Sequence, residues 1–455
     1  MKVKTRFAPS PSGDLHIGGA RTALFNFLFA KSQKGQFLVR IENTDDNRYS
    51  KESIKSIVDG LEWLKIKFDG EIIYQKDNIN KHLEYAKTLI SKGCAYKCYH
   101  STLEISNLKE KKKFISKWRD VKDNNNIKSP YTIRLKIPRD EVIVINDLVQ
   151  GKVKVNSNEL DDCILVRSDG KPTFMLASVV DDILMGITHV IRGDDHLTNT
   201  FRQFYLYKFS EKKLPNFAHL PLILNEKGEK LSKRDNVPSI LDFRSNGFLN
   251  EAICNYILRL GWSFKNYEIL NLKDSIEIFD LSNVGKSPAK IDTAKIKFLN
   301  EYYLKNLPKK KIFNLYKSLL KEKNKIMPKE IERNLFKFFD IFLERVCTLN
   351  EIVSKTNYFL DFKGISHKYW QSIEKKLFTL SELTVELKLL ESWTIDSIEK
   401  AIKMFVKKKN IKFFEVGMPL RLLLTNNESS PSIVIIMLIL GKKEVIRRLE
   451  NVITC

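Results

Sequence analysis

No apolar run in this 455-residue chain approaches the ~20 residues a membrane-spanning helix needs; the longest is IVIIMLILG from Ile433. A membrane-embedded role is therefore not expected. Cysteine is scarce. Six residues, scattered at 94, 98, 163, 254, 347 and 455, offer no disulfide framework and point to a reducing, cytoplasmic setting. Met1 is followed almost at once by a core-like strand, so no secretory leader is expected. Acidic residues are in deficit, 55 against 78 basic ones, for a net charge of +23. That balance favours a polyanionic partner, usually nucleic acid. Only 18 of the basic residues are arginine, and a Lys-rich mixture also follows from an AT-rich genome. The charge is compatible with RNA binding and does not by itself establish it. No internal repeat is visible. With 43% hydrophobic residues the chain can build ordinary cores. Its length predicts about three domains.

What the sequence does have begins at Arg6, in RFAPSPSGDLHIGGARTALFNFLFAKSQKG. The run VKTRFA predicts a strand that enters a stiff, small-residue turn. An amphipathic helix follows from about Gly18 to Lys34, with Leu24, Phe25, Phe27 and Leu28 toward its buried side. A strand opening into a helix N-terminus presents free N–H groups and the positive end of the dipole, which suits an anion. Gly18 and Gly19 carry no side chains to hold a bulky ligand away. His16, just before them, is placed to donate to a phosphate oxygen. The same residues also read as a plain conformational turn.

Residues 1–75 continue with a strand (QFLVRIENTD) and a helix (KESIKSIVDGLEWLKI), the first half of a Rossmann-like parallel-sheet α/β domain. Residues 76–174 change character. A helix (INKHLEYAKTLISKG) and a Lys-rich stretch near 109–128 give way to short strands, YTIRLKIP, EVIVINDLVQGKVKV and DCILVRSDGKPTF. This reads as an α+β insertion. The α/β pattern resumes over 175–225, and beyond the loop NEKGEKLSKRDN the chain is nearly all helical. That loop gathers Lys227, Lys230, Lys233 and Arg234 beside Gly228 and Ser232, either a clamp for a polyphosphate or a solvated basic loop. VIRGDDHLTNT sets Arg192, Asp194, Asp195 and His196 at the C-terminal end of a predicted strand, where open parallel sheets bind ligands. Arg192 suits a carboxylate bidentately. The alternative is a capped helix start.

Taken together, RFAPSPSGDLHIGG, RGDDH and KLSKR occur in an order that resembles the bacterial glutamyl-tRNA synthetases, which are class I aminoacyl-tRNA synthetases. HIGG at 16–19 is similar to that family's HIGH signature, and KLSKR at 230–234 to its KMSKS loop. The resemblance runs on through RIENTDDNR, VVDDILMGITHVIRGDDHLTN, LPLI, NYILRLGW and GKSPAKID, over essentially the whole chain. It implies that ATP, with Mg2+, activates L-glutamate to glutamyl-adenylate, and that the glutamyl group then passes to the 3′ end of tRNA-Glu. Residues 1–75 and 175–225 become the two halves of the catalytic domain, and 76–174 the acceptor-stem-binding insertion. Residues 226–305 become the KMSKS-like loop and stem-contact region, and 306–455 a helical anticodon-binding domain.

The resemblance also assigns residues. His16, Lys230 and Lys233 would be catalytic. His16, Gly18, Gly19, Asp195, Ile223, Lys230, Leu231, Ser232, Lys233 and Arg234 would meet ATP. Arg6 and Arg192 would take the carboxylates of glutamate and Glu42 its ammonium, with Ala8, Ser10, Phe174, Ser178 and His196 around them. Arg345 would read the anticodon, with Arg421, Arg447 and Arg448 adding charge to that part. A monomer is expected, and charging of tRNA-Gln as well is left open. Three positions depart from the usual pattern: Phe174 where Tyr is common, Asn43 where Asp is usual, and Ser178 where Asn or Val is frequent. Some relatives carry a structural zinc. Here Cys94, Cys98 and His100 have no second ligand pair after them, so no zinc is expected. Three rivals are disfavoured. Glutaminyl-tRNA synthetases have a β-barrel anticodon half, against the helical reading beyond 300. Short paralogues that modify a tRNA base lack the roughly 150 C-terminal residues seen here. An inactive RNA-binding relative would not need His16, Lys230, Lys233, Arg6 and Arg192 together.

Overall fold

The computed structural model describes residues 2–44, 50–100, 104, 116–121, 129–230 and 238–453. They form two compact units, residues 1–244 with 250–296, and residues 245–249 with 297–455. The first unit opens with β1 (Lys4–Phe7), α1 (Ile17–Ser32), β2 (Gln36–Ile41), α2 (Lys51–Trp63) and β3 (Ile73–Tyr74). These three strands are parallel, with Arg6 opposite Leu38. Then come α3 (Ile79–Ser91), β4 (Ala95–Cys98), β5 (Thr132–Leu135), the β6–β7 hairpin (Val142–Asp147, Gly151–Asn156) and β8 (Ile164–Val166). Helix α4 (Phe174–Met185) returns the chain to β9 (His189–Gly193), α5 (Leu197–Phe209) and β10 (Asn216–Leu220). β9 and β10 are parallel, with Arg192 opposite His219. β9 lies beside β1, where the Thr188 N–H donates to the Lys4 carbonyl. The chain therefore builds outward to one side from β1 and to the other from β9. That reversal is the switch point at which open α/β sheets hold ligands.

Period-2 alternation decides what each sheet face carries. Thr5, Phe7, Phe37 and Val39 face α1: the Thr5 hydroxyl donates to the Asn26 carbonyl, and the Phe27 ring meets the edge of Phe37. Helix α1 is not one-sided as its sequence pattern predicts. Ile17, Ala20, Arg21 and Ala23 to Ala30 are all buried, because α7 (Asn250–Arg259) and α8 (Leu272–Ile278), which follow α6 (Ile240–Ser245), cover its other side. The opposite sheet face carries Arg6, Arg40, Arg192 and His219. It is roofed by α4 and by one hydrophobic core that joins Leu135, Ile143, Ile145 and Leu165 of the insertion to Val179, Val180, Val190, Phe201 and Phe217. Each such side chain contributes about 1.5–3 kcal/mol when fully buried, so insertion and sheet are held as one body. Short parallel strands β11 (Ile223–Leu224) and β12 (Ala289–Lys290) complete the unit.

Helix α9 (Thr293–Asn306) contains the division between the units. The sequence places the start of the anticodon-binding domain at 306, and the second compact unit takes in the chain from 297. Leu299, Tyr303 and Leu304 are buried, and Asn300 accepts from the Leu249 N–H and donates to the Cys347 carbonyl. Helices α10 (Lys309–Glu322), α11 (Lys329–Lys337), α12 (Asp340–Leu343), α13 (Leu349–Thr356) and α14 (His367–Ile373) follow. After them come α15 (Leu377–Lys388), α16 (Ile395–Lys409), α17 (Phe414–Thr425), α18 (Ile433–Leu440) and α19 (Lys442–Ile453). The long apolar run is α18, the core helix of this unit, with Ile433, Val434, Ile436, Met437, Ile439 and Leu440 buried against α11, α16, α17 and α19. No helix among the described residues is long and apolar enough to cross a membrane.

Two of the arginines expected to add surface charge here are structural. Arg421 donates to the Ser430 and Pro431 carbonyls. Arg448 is buried: it donates to the carbonyls of Tyr358 (2.9 Å) and Leu424 (2.6 Å), pairs with Glu444, and lies 4.1 Å from the centre of the Phe362 ring. Arg448→Met strands both carbonyls and is expected to cost about 3 kcal/mol of stability in urea unfolding. Arg447→Met removes an exposed pair with Glu444 and is expected to cost no more than about 1 kcal/mol.

Candidate active site

Two positive strands need negative charge above them, and α4 supplies it. Its sequence runs Val179, Val180, Asp181, Asp182 into the core. Asp182 takes Arg6 through Nε (3.0 Å) and Nη2 (3.4 Å), and Arg40 through Nη1 (2.5 Å). Arg40 Nη2 donates to Glu42 at 3.1 Å, and its Nε lies 3.9 Å from Asp181. Asp181 also accepts from Gln75, Asn78 and His82, at 2.9, 3.0 and 2.9 Å. Burial opposes the charge on Asp182, but Arg6 and Arg40 outweigh it and hold the carboxyl below its usual value. For Glu42 burial wins over Arg40 and Arg6, and the carboxyl is pushed up. The Glu42 N–H donates to the Pro9 carbonyl, which brings half-buried Ala8 and exposed Ser10 to the same end of the sheet. Arg6 therefore meets a ligand with its bidentate edge already given to Asp182.

Arg192 is different. It is 7% exposed, and every side chain or carbonyl it touches is neutral. Its Nε donates to His219, and its Nη2 to Thr200 (2.7 Å), Gln203 (2.9 Å) and the His196 carbonyl (3.3 Å). No hydrogen bond to the described residues falls on Nη1. Burial pushes its pKa down to about 10, and the nearby Arg6 cation adds to this. A buried cation without a carboxylate partner is costly unless a ligand brings one. Gln203 is itself fixed by the Ser178 hydroxyl, which accepts from it at 2.9 Å and donates to the Phe174 carbonyl. The Phe174 ring lies 5.3 Å from that of His196. His196 is lowered in pKa by burial, then by Arg192. Arg6, Glu42, Phe174, Ser178, Arg192 and His196 thus converge on one neighbourhood.

The other end gathers around α1. His16 caps the helix, its Nδ1 accepting from the N–H groups of Gly18 (3.1 Å) and Gly19 (3.2 Å). The sequence offers those two donors to an anion; the imidazole has taken them. With Nδ1 accepting, the neutral ring carries its proton on Nε2. A Cβ on Gly18 would sit 3.1 Å from His16 Nδ1, so glycine here makes room for the ring. One turn on, buried Arg21 donates to the carbonyls of Pro221 and Leu260. Asp194, pushed up by burial and by exposed Asp195, accepts from the Leu222 N–H beside buried Ile223. Residues 225–230 form a turn closed by Asn225, whose Oδ1 accepts from Lys227 N and Glu229 N, with Gly228 at φ 86° and Lys230 exposed. Leu231, Ser232, Lys233 and Arg234 lie outside the described residues. In the second unit Arg345 is exposed at φ 56°, its carbonyl accepting from Lys355.

No group of three His, Cys, Asp or Glu side chains among the described residues is placed to hold a metal ion. Cys94 precedes β4 and Cys98 ends it. Four steps of extended chain separate their backbones by ~13 Å, against roughly 4 Å between two ligands of one zinc.

Residues 2–298 match the family model for the catalytic domain of class I tRNA synthetases (E and Q), and residues 307–453 that for an anticodon binding domain. The glutamate–tRNA ligase of Nitrosomonas europaea is 40% identical over 99% of this chain and 98% of its own length. The chain belongs to the glutamate–tRNA ligase family. Glutamate–tRNA ligase 2 of Wolbachia pipientis is likewise 40% identical, over 99% of each chain. The crystal structure of a glutamate tRNA ligase from Elizabethkingia meningosepticum, in complex with its amino acid, superposes with a TM-score of 0.84 at 31% identity, covering 100% of this chain and 99% of that one. The family assignment and the anticodon-domain match leave no place for the short-paralogue reading.

Sequence reasoning missed the residues that hold Arg6 and Arg192 in place: Arg40, Asp181, Asp182, Gln203 and His219. A signal was present. Two adjacent acids inside an apolar helix cannot be buried unless cations meet them. Asp182→Asn should leave Arg6 and Arg40 short of a counter-charge and cost about 3–5 kcal/mol in chemical denaturation; an unchanged midpoint would remove Asp182 from the centre of this cluster.

Proposed function

We propose that this chain ligates glutamate to tRNA-Glu with Arg192 as the anchor for a substrate carboxylate, and the observation that carries this is its burial with no carboxylate partner among the described residues. Arg6 and Glu42 flank it, the first adding positive charge and the second a site for the ammonium. Ala8, Ser10, Phe174, Ser178 and His196 shape the pocket. The α-carboxylate of glutamate attacks the α-phosphate of ATP, forming glutamyl-adenylate and releasing pyrophosphate. The 3′-terminal adenosine of the tRNA then takes the glutamyl group and AMP leaves. Such steps need positioning and charge stabilisation more than covalent help. His16 donates from Nε2 to the reacting phosphate, and the capped helix N-terminus adds its dipole behind it. Gly18 and Gly19 let the nucleotide approach, with Asp195 and Ile223 near the adenosine. Lys230, Leu231, Ser232, Lys233 and Arg234 close on the pyrophosphate. Mg2+ arrives with ATP, held by phosphates and water. Arg345, exposed in the turn after α12, reads an unstacked anticodon base. The enzyme acts as a cytoplasmic monomer without a structural zinc.

ATP–pyrophosphate exchange with tRNA present, followed by charging of purified tRNA-Glu and tRNA-Gln, tests the reading and settles the second substrate. His16→Ala should lower activation by ~10²–10³-fold, at a capping cost of about 1 kcal/mol in stability. Turnover like that of the parent protein would reject the assignment. Lys233→Ala should slow adenylate formation while leaving tRNA affinity intact. Elemental analysis should find no stoichiometric zinc, and one tightly held zinc per chain would refute that expectation.

A further inference from the structure

Arg192 and His219 are register partners on β9 and β10, so their side chains leave one sheet face side by side. Arg192 Nε donates to His219 Nε2 at 3.2 Å. A guanidinium only donates, so Nε2 is bare. The other ring nitrogen lies 2.6 Å from Asp147 Oδ2, which accepts, so Nδ1 carries the proton. Both side chains of this pair are fully buried. Asp147 is fixed in turn. Its Oδ1 accepts from the N–H groups of Val149 (2.9 Å), Gln150 (2.8 Å) and His219 (3.1 Å). Gln150 Nε2 donates to the His219 carbonyl, and Leu148 N to that of Phe217. The turn of the β6–β7 hairpin is thereby clasped to β10. Thr200 Oγ1, 3.0 Å from His219 Nε2 and 2.7 Å from Arg192 Nη2, closes the ring of contacts.

We propose that His219 is a positioning residue for Arg192: Asp147, carried by the inserted segment, selects the Nδ1–H form, and the bare Nε2 holds the guanidinium so that Nη1 is left for the substrate carboxylate. This rests on Arg192 being a glutamate ligand. The groups facing the imidazole are Arg192 on β9, Asp194 and His196 on the turn after it, Thr200 on α5 and Asp147 on β6. Burial lowers the His219 pKa, Asp147 opposes, Arg192 adds to the lowering, and the balance lies below the ordinary histidine value. Above that lowered pKa the ring is neutral and the contact stands. As pH falls through it, a proton on Nε2 would face the Arg192 N–H, donor against donor and cation against cation. Glutamate use should therefore fall on the acid side of about 6.5. The unfolded chain takes up that proton first, so stability is lost in the same direction.

The test uses the full chain with ATP and tRNA-Glu, measuring kcat and the KM values for glutamate and ATP between about pH 5.5 and 8. Asp147→Asn turns the acceptor toward Nδ1 into a donor and moves the proton to Nε2. It should raise the glutamate KM by ~10–100-fold, with kcat and the ATP KM moving far less. His219→Gln retains an acceptor toward Arg192, so its glutamate KM should rise less and its acid limb should vanish. If Arg192→Lys raises the glutamate KM while both other variants leave it unchanged, the positioning role is overturned and the reading of Arg192 stands. If all three leave it unchanged, the reading of Arg192 itself falls. Should a variant fail to fold, nitrogen NMR of the histidine-labelled parent decides: His219 must show an unprotonated Nε2 at neutral pH, and a protonated one overturns the proposal.

Discussion

One buried sheet face carries Arg40, Arg6, Arg192 and His219 on four neighbouring strands. Placing three cations and a neutral imidazole there is the constraint to which the surrounding structure answers. An isolated charge out of water costs several kcal/mol, so each must be matched by an acid or left for a ligand. Asp182 serves Arg6 and Arg40 together, Asp181 and Glu42 complete the shell around Arg40, and Asp147 holds His219. Only Arg192 is surrounded by neutral acceptors. The same face that costs the fold its polar burial therefore leaves one cation unmatched at the strand ends, where a carboxylate can reach it.

Much of this was legible. VKTRFA and VIRGDD read as strands leading into turns, and both are strands whose ends meet at the switch point. Alternation along β1 and β2 already separates Thr5, Phe7, Phe37 and Val39 from Arg6 and Arg40. What alternation cannot say is what covers each face. The pattern of α1 read as one-sided because its exposed side was inferred, whereas α7 and α8, more than 200 residues further along the chain, bury it. The cap at His16 was hidden for a related reason. A histidine before Gly-Gly fits an outward donor and an inward acceptor equally well, and only the ring's position against Gly18 and Gly19 decides.

The acids were the harder part. Asp181 and Asp182 lie about 140 residues from Arg40, and Asp147 lies 72 from His219. Long-range charge pairs leave no spacing signature, and only the improbability of acid in an apolar helix marks them. Composition misled in the opposite sense. Arg421 and Arg448 added to a basic count that favours RNA, yet their donors serve backbone carbonyls within the helical unit.

The three departures from the family pattern can now be weighed by what they touch. Asn43 accepts the Lys76 N–H through its side chain, a contact an aspartate would make equally well. Phe174 lacks a hydroxyl but places its ring beside His196, so it shapes the pocket through packing. Ser178 reaches Arg192 only through Gln203, whose amide it orients. Phe174 and Ser178 leave every charge near Arg6, Glu42 and Arg192 in place, whereas Asn43 removes one negative charge next to Glu42 in the chain. Charged groups held in a dry site dominate recognition of a dicarboxylate, since each charge-assisted bond is worth roughly twice a neutral one. Phe174 and Ser178 thus fall on the weaker, neutral terms, while Asn43 changes a charge at a residue whose side chain is spent on the Lys76 N–H, and the buried cations Arg6, Arg40 and Arg192 keep their places.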